Sequence, residues 1–203
     1  MSNILIKQGY VGIFLFVVLN FISMLIYPGG TIIEPETKGY SFFYNFLSNL
    51  GESTVHQILK HRNIPSQDLF YDNYGAPYLT SGLNISISHS ELFVAVCLSK
   101  EKVGIDLQII NEKIFKVSNK FINDLEKKLT EKNNLEKLTH LWTIKEAAYK
   151  YFTVGKLSLK NDIIVKQLGD DSNLQINGLG KHLNLKSKTI ITPNYICSLV
   201  YDE

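Results

Sequence analysis

The chain has 203 residues, 45% of them apolar, and a formal net charge of +2. That is enough for one domain, or one and a half, around a sizeable core, and it excludes the bulk charge field that binding to nucleic acid or an anionic membrane surface would use. Its two cysteines, Cys97 and Cys197, each sit in an apolar, strand-like run, where a thiol behaves as a small hydrophobe. Neither a disulfide framework nor a zinc site is expected, which fits a reducing cytoplasm.

From Gly9 to Tyr27 there are 19 residues without a charge, long enough to cross about 30 Å of hydrocarbon as a helix. A signal peptide is the main rival reading, but the only cation before the run is Lys7 and no small-x-small cleavage pattern follows. A buried core helix is a third, disfavoured by the lack of a polar face. Lys7 before the run and Lys38 after it leave its orientation undecided. Residues 28–51, rich in Gly, Pro and aromatic side chains, read as a loop and an interfacial turn. Because no second span follows, a junction is expected near Gly51, dividing a hydrophobic segment (1–51) from a soluble domain (52–203).

Residues 52–63 read as a short helix with Val55, Ile58 and Leu59 on one face and His56, Lys60, His61 and Arg62 on the other. Residues 68–74 read as a strand entering a turn at Gly75-Ala76-Pro77. Asn84 to Ser90 alternates with period two, so Ile85 and Ile87 face a core and Ser86 and Ser88 lie opposite. His89 stands at the strand's end, where a side chain can leave the packed layer. Residues 92–98 are a nearly continuous apolar run, hence a central strand. Val103 to Leu107 is a further strand, with Asp106 as its only charge. Residues 111–129 read as one or two helices, and a longer helix spans about 135–152. A turn at 155–159 and short strands near 162–168, 173–176 and 188–192 follow, then a last strand at 195–201. The pattern predicts an α+β fold of antiparallel strands packed on helices.

The helix at 135–152 has no Gly or Pro. At about 100° per residue, Trp142, Lys145, Glu146, Tyr149 and Lys150 fall within roughly 140° of arc. A carboxylate there can hold a hard cation, and neighbouring ammonium groups can hold phosphate oxygens. The plainer alternative is a solvated Lys/Glu face with Trp142 in the core. Asp106 adds weight to the first, because a lone Asp inside a strand is unfavourable unless paired or metal-bound.

In this order and spacing the residues resemble the 4′-phosphopantetheinyl transferase superfamily. Val103-Gly104-Ile105-Asp106 is similar to its Gly-Ile-Asp strand, and Trp142-Thr143-Ile144-Lys145-Glu146 through Lys150 to its second signature. Ile85 to Ser90, Gly75-Ala76-Pro77 and Leu157-Ser158-Leu159 resemble further features of the larger, surfactin-synthetase-activating type. The likeness covers about 55–202. It implies an α+β fold and a Mg²⁺-dependent transfer of the 4′-phosphopantetheine arm of coenzyme A to a serine of an apo acyl or peptidyl carrier protein, releasing 3′,5′-ADP. It implies Asp106 and Glu146 as metal ligands, with Glu146 or a water taking the serine proton. Lys145 and Lys150 would hold pyrophosphate oxygens, His89 would donate to phosphates, and Ser88 would touch the 3′-phosphate end. Trp142 is read as packing.

Three departures stand out. Gln108 occupies the position where the family often has a second acid, and can offer only a neutral carbonyl ligand. Ala76 replaces a lysine. The first half of the domain is short, with His56, Lys60 and Arg62 as its basic candidates, so assembly of subunits is an open expectation. A different class of function, a non-catalytic coenzyme A-binding remnant joined to a membrane-derived segment, is favoured by Ala76 and the short first half. It is opposed by Asp106, Lys145, Glu146 and Lys150. A membrane-attached form of the active enzyme would need the soluble part to face the cytosol.

Overall fold

The computed structural model of the chain describes residues 47–91, 93–131, 134–152, 157–178 and 180–202. The run at 9–27 lies outside them, and with it the expected span. Among the described residues no helix is long and apolar enough to cross a membrane. The chain divides into compact units at Met1–Ser53 and Thr54–Glu203.

Helix α1 (Leu47–His61) runs through the boundary expected at Gly51. Its inner face, Val55 and Leu59, packs with Ile64, Leu79 and Ile85 in a small core. A short hairpin follows, β1 (Leu69–Tyr71) against β2 (Pro77–Leu79). β2 is not visible in the sequence pattern, since three residues are too few to show a period. Its proline sits at the first position of the strand, where a missing N–H is tolerated. Between them Asp72 builds the turn: its Oδ1 accepts from the Tyr74 and Ala76 amides at 2.8 Å each. Gly75 takes φ +80°, a region that L side chains rarely adopt.

β3 (Asn84–Ser90) and β4 (Phe93–Ser99) form a second antiparallel pair. The main sheet has five strands in the order β5-β9-β8-β7-β6, all antiparallel. These are β5 (Val103–Ile109), β6 (Ile163–Val165), β7 (Asp171–Gly178), β8 (Lys181–Ile191) and β9 (Tyr195–Asp202). β8 starts well before the 188–192 stretch expected, because Leu183 and Leu185 continue the period-two alternation among polar residues.

Helices α2 (Lys113–Phe121) and α3 (Lys127–Thr130) lead into α4 (Leu135–Phe152), which lies on the sheet. Leu141, Ile144 and Ala148 of α4 pack with Phe121, Ile163, Val165, Leu174, Ile176, Leu185 and Val200. Each Leu, Ile, Val or Phe side chain here contributes about 1.5–3 kcal/mol when fully buried, so this core fixes α4 on the strands.

β5 is the edge of the main sheet, and β3 lies beside it without joining the backbone ladder. Instead the amides of Ile105, Leu107 and Ile109 donate to the hydroxyls of Ser86, Ser88 and Ser90 at 3.0, 3.1 and 3.3 Å. Ser86 and Ser88 are therefore buried. The alternation of β3 marks two covered faces, not one covered and one open.

Candidate active site

The site begins where α4 meets β5. A side chain at Gly104 would place its Cβ 2.0 Å from the Ala147 carbonyl oxygen and 2.5 Å from the Tyr151 amide nitrogen. Only glycine lets the helix backbone lie this close. Two residues along the same face of β5, Asp106 meets the next part of the helix. Lys150 Nζ donates to Asp106 Oδ1 at 2.8 Å. Ser88 Oγ donates to the same oxygen at 2.8 Å, and Gln108 Nε2 donates to Oδ2 at 3.1 Å. The Asp106 side chain is almost fully buried while Lys150 remains partly open.

Glu146, one turn before Lys150, completes the group. Burial, and next the Asp106 charge, push its carboxyl up to about 7, with Lys150 opposing. Two carboxylates close enough to repel, with a lysine beside them, form a site whose unfavourable charge a cation would relieve. Among the described residues no cluster of three or more acidic, His or Cys groups converges. The hard oxygen donors on offer are the two carboxylates and, if its amide turned over, the Gln108 oxygen.

Two clefts adjoin this cluster. One, of about 200 Å³, is lined by Tyr74, Gly75, Ala76, Pro77, Ser86, Tyr149 and Lys150, among others. The other, of about 270 Å³, includes Ser90, Gln108, Asn111, Lys113, Thr139 and Trp142. Lys150 and Gln108 both bond Asp106, so each cleft shares one wall residue with the cluster.

Other residues singled out in the sequence stand elsewhere. Lys145 is fully buried, on the core side of α4. Its ammonium donates to the carbonyls of Phe121, Leu159 and Ile163 at 2.8, 2.8 and 2.7 Å, and pairs with Glu126 at 2.7 Å. It cannot reach a phosphate from this cage, so the expected pyrophosphate contact is not met. Burial pulls its pKa below the ordinary lysine range, and Glu126 pulls it back. Ser88 is likewise enclosed, its hydroxyl spent on Asp106 and Leu107. His89 is exposed, on the face of β3 opposite the serines. Trp142 packs edge-on against Phe121 at 4.9 Å, as expected of a packing residue. Lys60 and Arg62 lie exposed in and just after α1.

Sequence reasoning missed Glu126. It is completely buried, accepting from the Val165 amide at 2.9 Å and the Asn123 amide at 3.1 Å. Asn123 Oδ1 in turn accepts from the Glu126 amide at 3.0 Å. That reciprocal Asn-x-x-Glu pair follows the logic of a capping box, and the spacing is the signal that could have found it.

Residues 102–200 match the family model described as the 4′-phosphopantetheinyl transferase superfamily. The 4′-phosphopantetheinyl transferase gsp of Aneurinibacillus migulanus is 29% identical over 150 residues. That match takes in 68% of this chain and 60% of the relative's length. The matched region holds the Gly104 crossing and all three charged groups of the cluster, so the part of the chain that carries the site is the part similar to the 4′-phosphopantetheinyl transferase superfamily.

Proposed function

We propose that this chain transfers the 4′-phosphopantetheine arm of coenzyme A to a serine of an apo acyl or peptidyl carrier protein, releasing 3′,5′-ADP. The observation that carries the reading is the meeting of Asp106, Glu146 and Lys150 beside a cleft. Phosphoryl transfer needs positioning and charge neutralisation more than covalent help. The nucleotide end of coenzyme A would lie in the cleft of Tyr74, Pro77 and Tyr149, with its pyrophosphate against Lys150. The carrier serine would approach from the side of Gln108 and Trp142.

The serine oxygen then forms a bond to the phosphorus bearing the pantetheine arm. The bond from that phosphorus to the bridging oxygen breaks, and 3′,5′-ADP leaves with the electron pair. Glu146, or a water held beside it, takes the serine proton as general base. Lys150 swings from Asp106 to the departing phosphate oxygens. The donor set fits Mg²⁺, which Asp106 and Glu146 would hold with Gln108 as a neutral third oxygen, and which would supply positive charge opposite the pyrophosphate.

Mass spectrometry of apo-carrier proteins incubated with the chain, coenzyme A and Mg²⁺ tests the reading. The expected result is a gain of one phosphopantetheine, lost with EDTA and abolished by Asp106→Ala or Glu146→Ala. Undiminished transfer in either variant overturns that residue's role. No gain on any of several carriers by a folded protein favours the non-catalytic coenzyme A-binding remnant, the reading to which Ala76 lends support.

A further inference from the structure

The Ser88 hydroxyl has one proton and two lone pairs. One lone pair accepts the Leu107 amide at 3.1 Å, and the proton goes to Asp106 Oδ1 at 2.8 Å. The residue is 4% exposed. A hydroxyl so placed has no proton to offer a ligand phosphate. It ties the Asp106 carboxylate to the backbone of the very next residue, closing a short rigid loop of bonds. The other two partners of that carboxylate, Lys150 and Gln108, are long and flexible side chains. Among the described residues Ser88 is therefore the one rigid hold on the direction in which Asp106 points.

We infer that Ser88 is a positioning residue for Asp106, aiming its carboxylate at the metal, and not a contact to the coenzyme A donor. The inference rests on the metal-assisted transfer proposed above. Ser86 supplies the internal comparison. It makes the equivalent bond to the Ile105 amide at 3.0 Å, but has no carboxylate partner among the described residues. Ser86→Ala and Ser88→Ala each remove one bond between β3 and β5; only Ser88→Ala frees Asp106.

The experiment measures Mn²⁺ affinity by electron paramagnetic resonance on wild type and both variants, with thermal unfolding and the KM for coenzyme A at saturating metal. Loss of an outer partner of a metal ligand typically costs 10–100-fold in affinity, so Ser88→Ala is expected to bind Mn²⁺ at least about tenfold more weakly. Ser86→Ala keeps wild-type affinity, the two variants lose similar thermal stability, and Ser88→Ala keeps its KM for coenzyme A within about twofold of wild type. Ser88→Cys retains the volume with only a weak donor; it gives an intermediate loss, and replaces the alanine variant should that fail to fold. Equal Mn²⁺ affinity in Ser86→Ala and Ser88→Ala overturns the inference, as does a raised KM with wild-type Mn²⁺ affinity. A folded wild-type chain that binds no Mn²⁺ overturns the metal reading and the inference together, which separates the two failures.

Discussion

Lys145 and Lys150 lie on one helix, and their surroundings divide between them the work that the sequence pattern assigns to both. Lys145 has four oxygens around its ammonium and none of its side chain exposed. Lys150 is partly open and faces a carboxylate. Removing one partner of a buried pair leaves the other charge uncompensated, at a cost of about 3–5 kcal/mol. Lys145→Ala is accordingly expected to lose that much stability in urea unfolding. Lys150→Ala is expected to lose clearly less, and to show its effect as slower transfer by folded protein. At Gln108 the expectation is a gain. Gln108→Glu adds a third hard, charged oxygen, so calorimetric titration should show tighter Mg²⁺ binding, with lower stability in the metal-free protein from the added repulsion. Asp106 was legible as a candidate because a lone acid in a strand demands a partner. The burial of Lys145 was not, because its cage is built from carbonyls at residues 121, 159 and 163, which only the folded chain brings together.

At the scale of elements, the crossing of α4 over β5 sets the site. Gly104, Asp106 and Gln108 share one face of the strand, and α4 runs along that face with Tyr151 near the first and Lys150 bonded to the second. Gly104→Ala is expected to push the helix outward, since a methyl group cannot stand 2.0 Å from a carbonyl oxygen. Overpacking of this kind costs about 1–3 kcal/mol or more. Transfer should fall well below wild type even at temperatures where circular dichroism shows the variant folded, because Asp106 and Glu146 are then drawn apart. Helix 135–152 was readable from its uninterrupted helix-forming sequence, β3 from alternation and β9 from its apolar run. The length of β8 was underestimated because Leu183 and Leu185 are the only apolar residues in its first half, too short an alternation to mark a strand among so many polar side chains. The joining of β3 to β5 through serine hydroxyls was invisible, since side-chain bonds of that sort leave no period.

For the molecule as a whole, buried His140 and half-buried Glu146 set opposite trends with pH. Burial pulls His140 from 6.5 down to about 4, with the Asp170 charge opposing. The unfolded chain therefore takes up this proton first, and stability falls as pH drops from 6.5 towards 4, by up to about 3 kcal/mol. Glu146 is raised from 4.5 to about 7. Between those values the folded chain holds a proton that the unfolded chain lacks, so this contribution is present at low pH and lost as pH rises through 7. The two trends offset one another where they overlap. His140→Gln removes the first, and the difference in unfolding free energy between variant and wild type is expected to move in the variant's favour as pH falls from 6.5 to 4. A difference that stays constant over that range would exclude His140 as the cause. The α+β arrangement of this molecule followed from the order of apolar runs, whereas His140 gave no sign in the sequence, because burial depends on how α4 is covered.

The serine contacts along β5 also decide what that strand cannot do. A bare sheet edge offers its amides to any other extended chain, and natural proteins blunt such edges to avoid aggregation. Here the outward amides of Ile105, Leu107 and Ile109 are already occupied by hydroxyls from β3. The sheet is closed to strand addition on this side by three small side chains, so the hairpin that frames the candidate site also keeps neighbouring copies from zipping together at it.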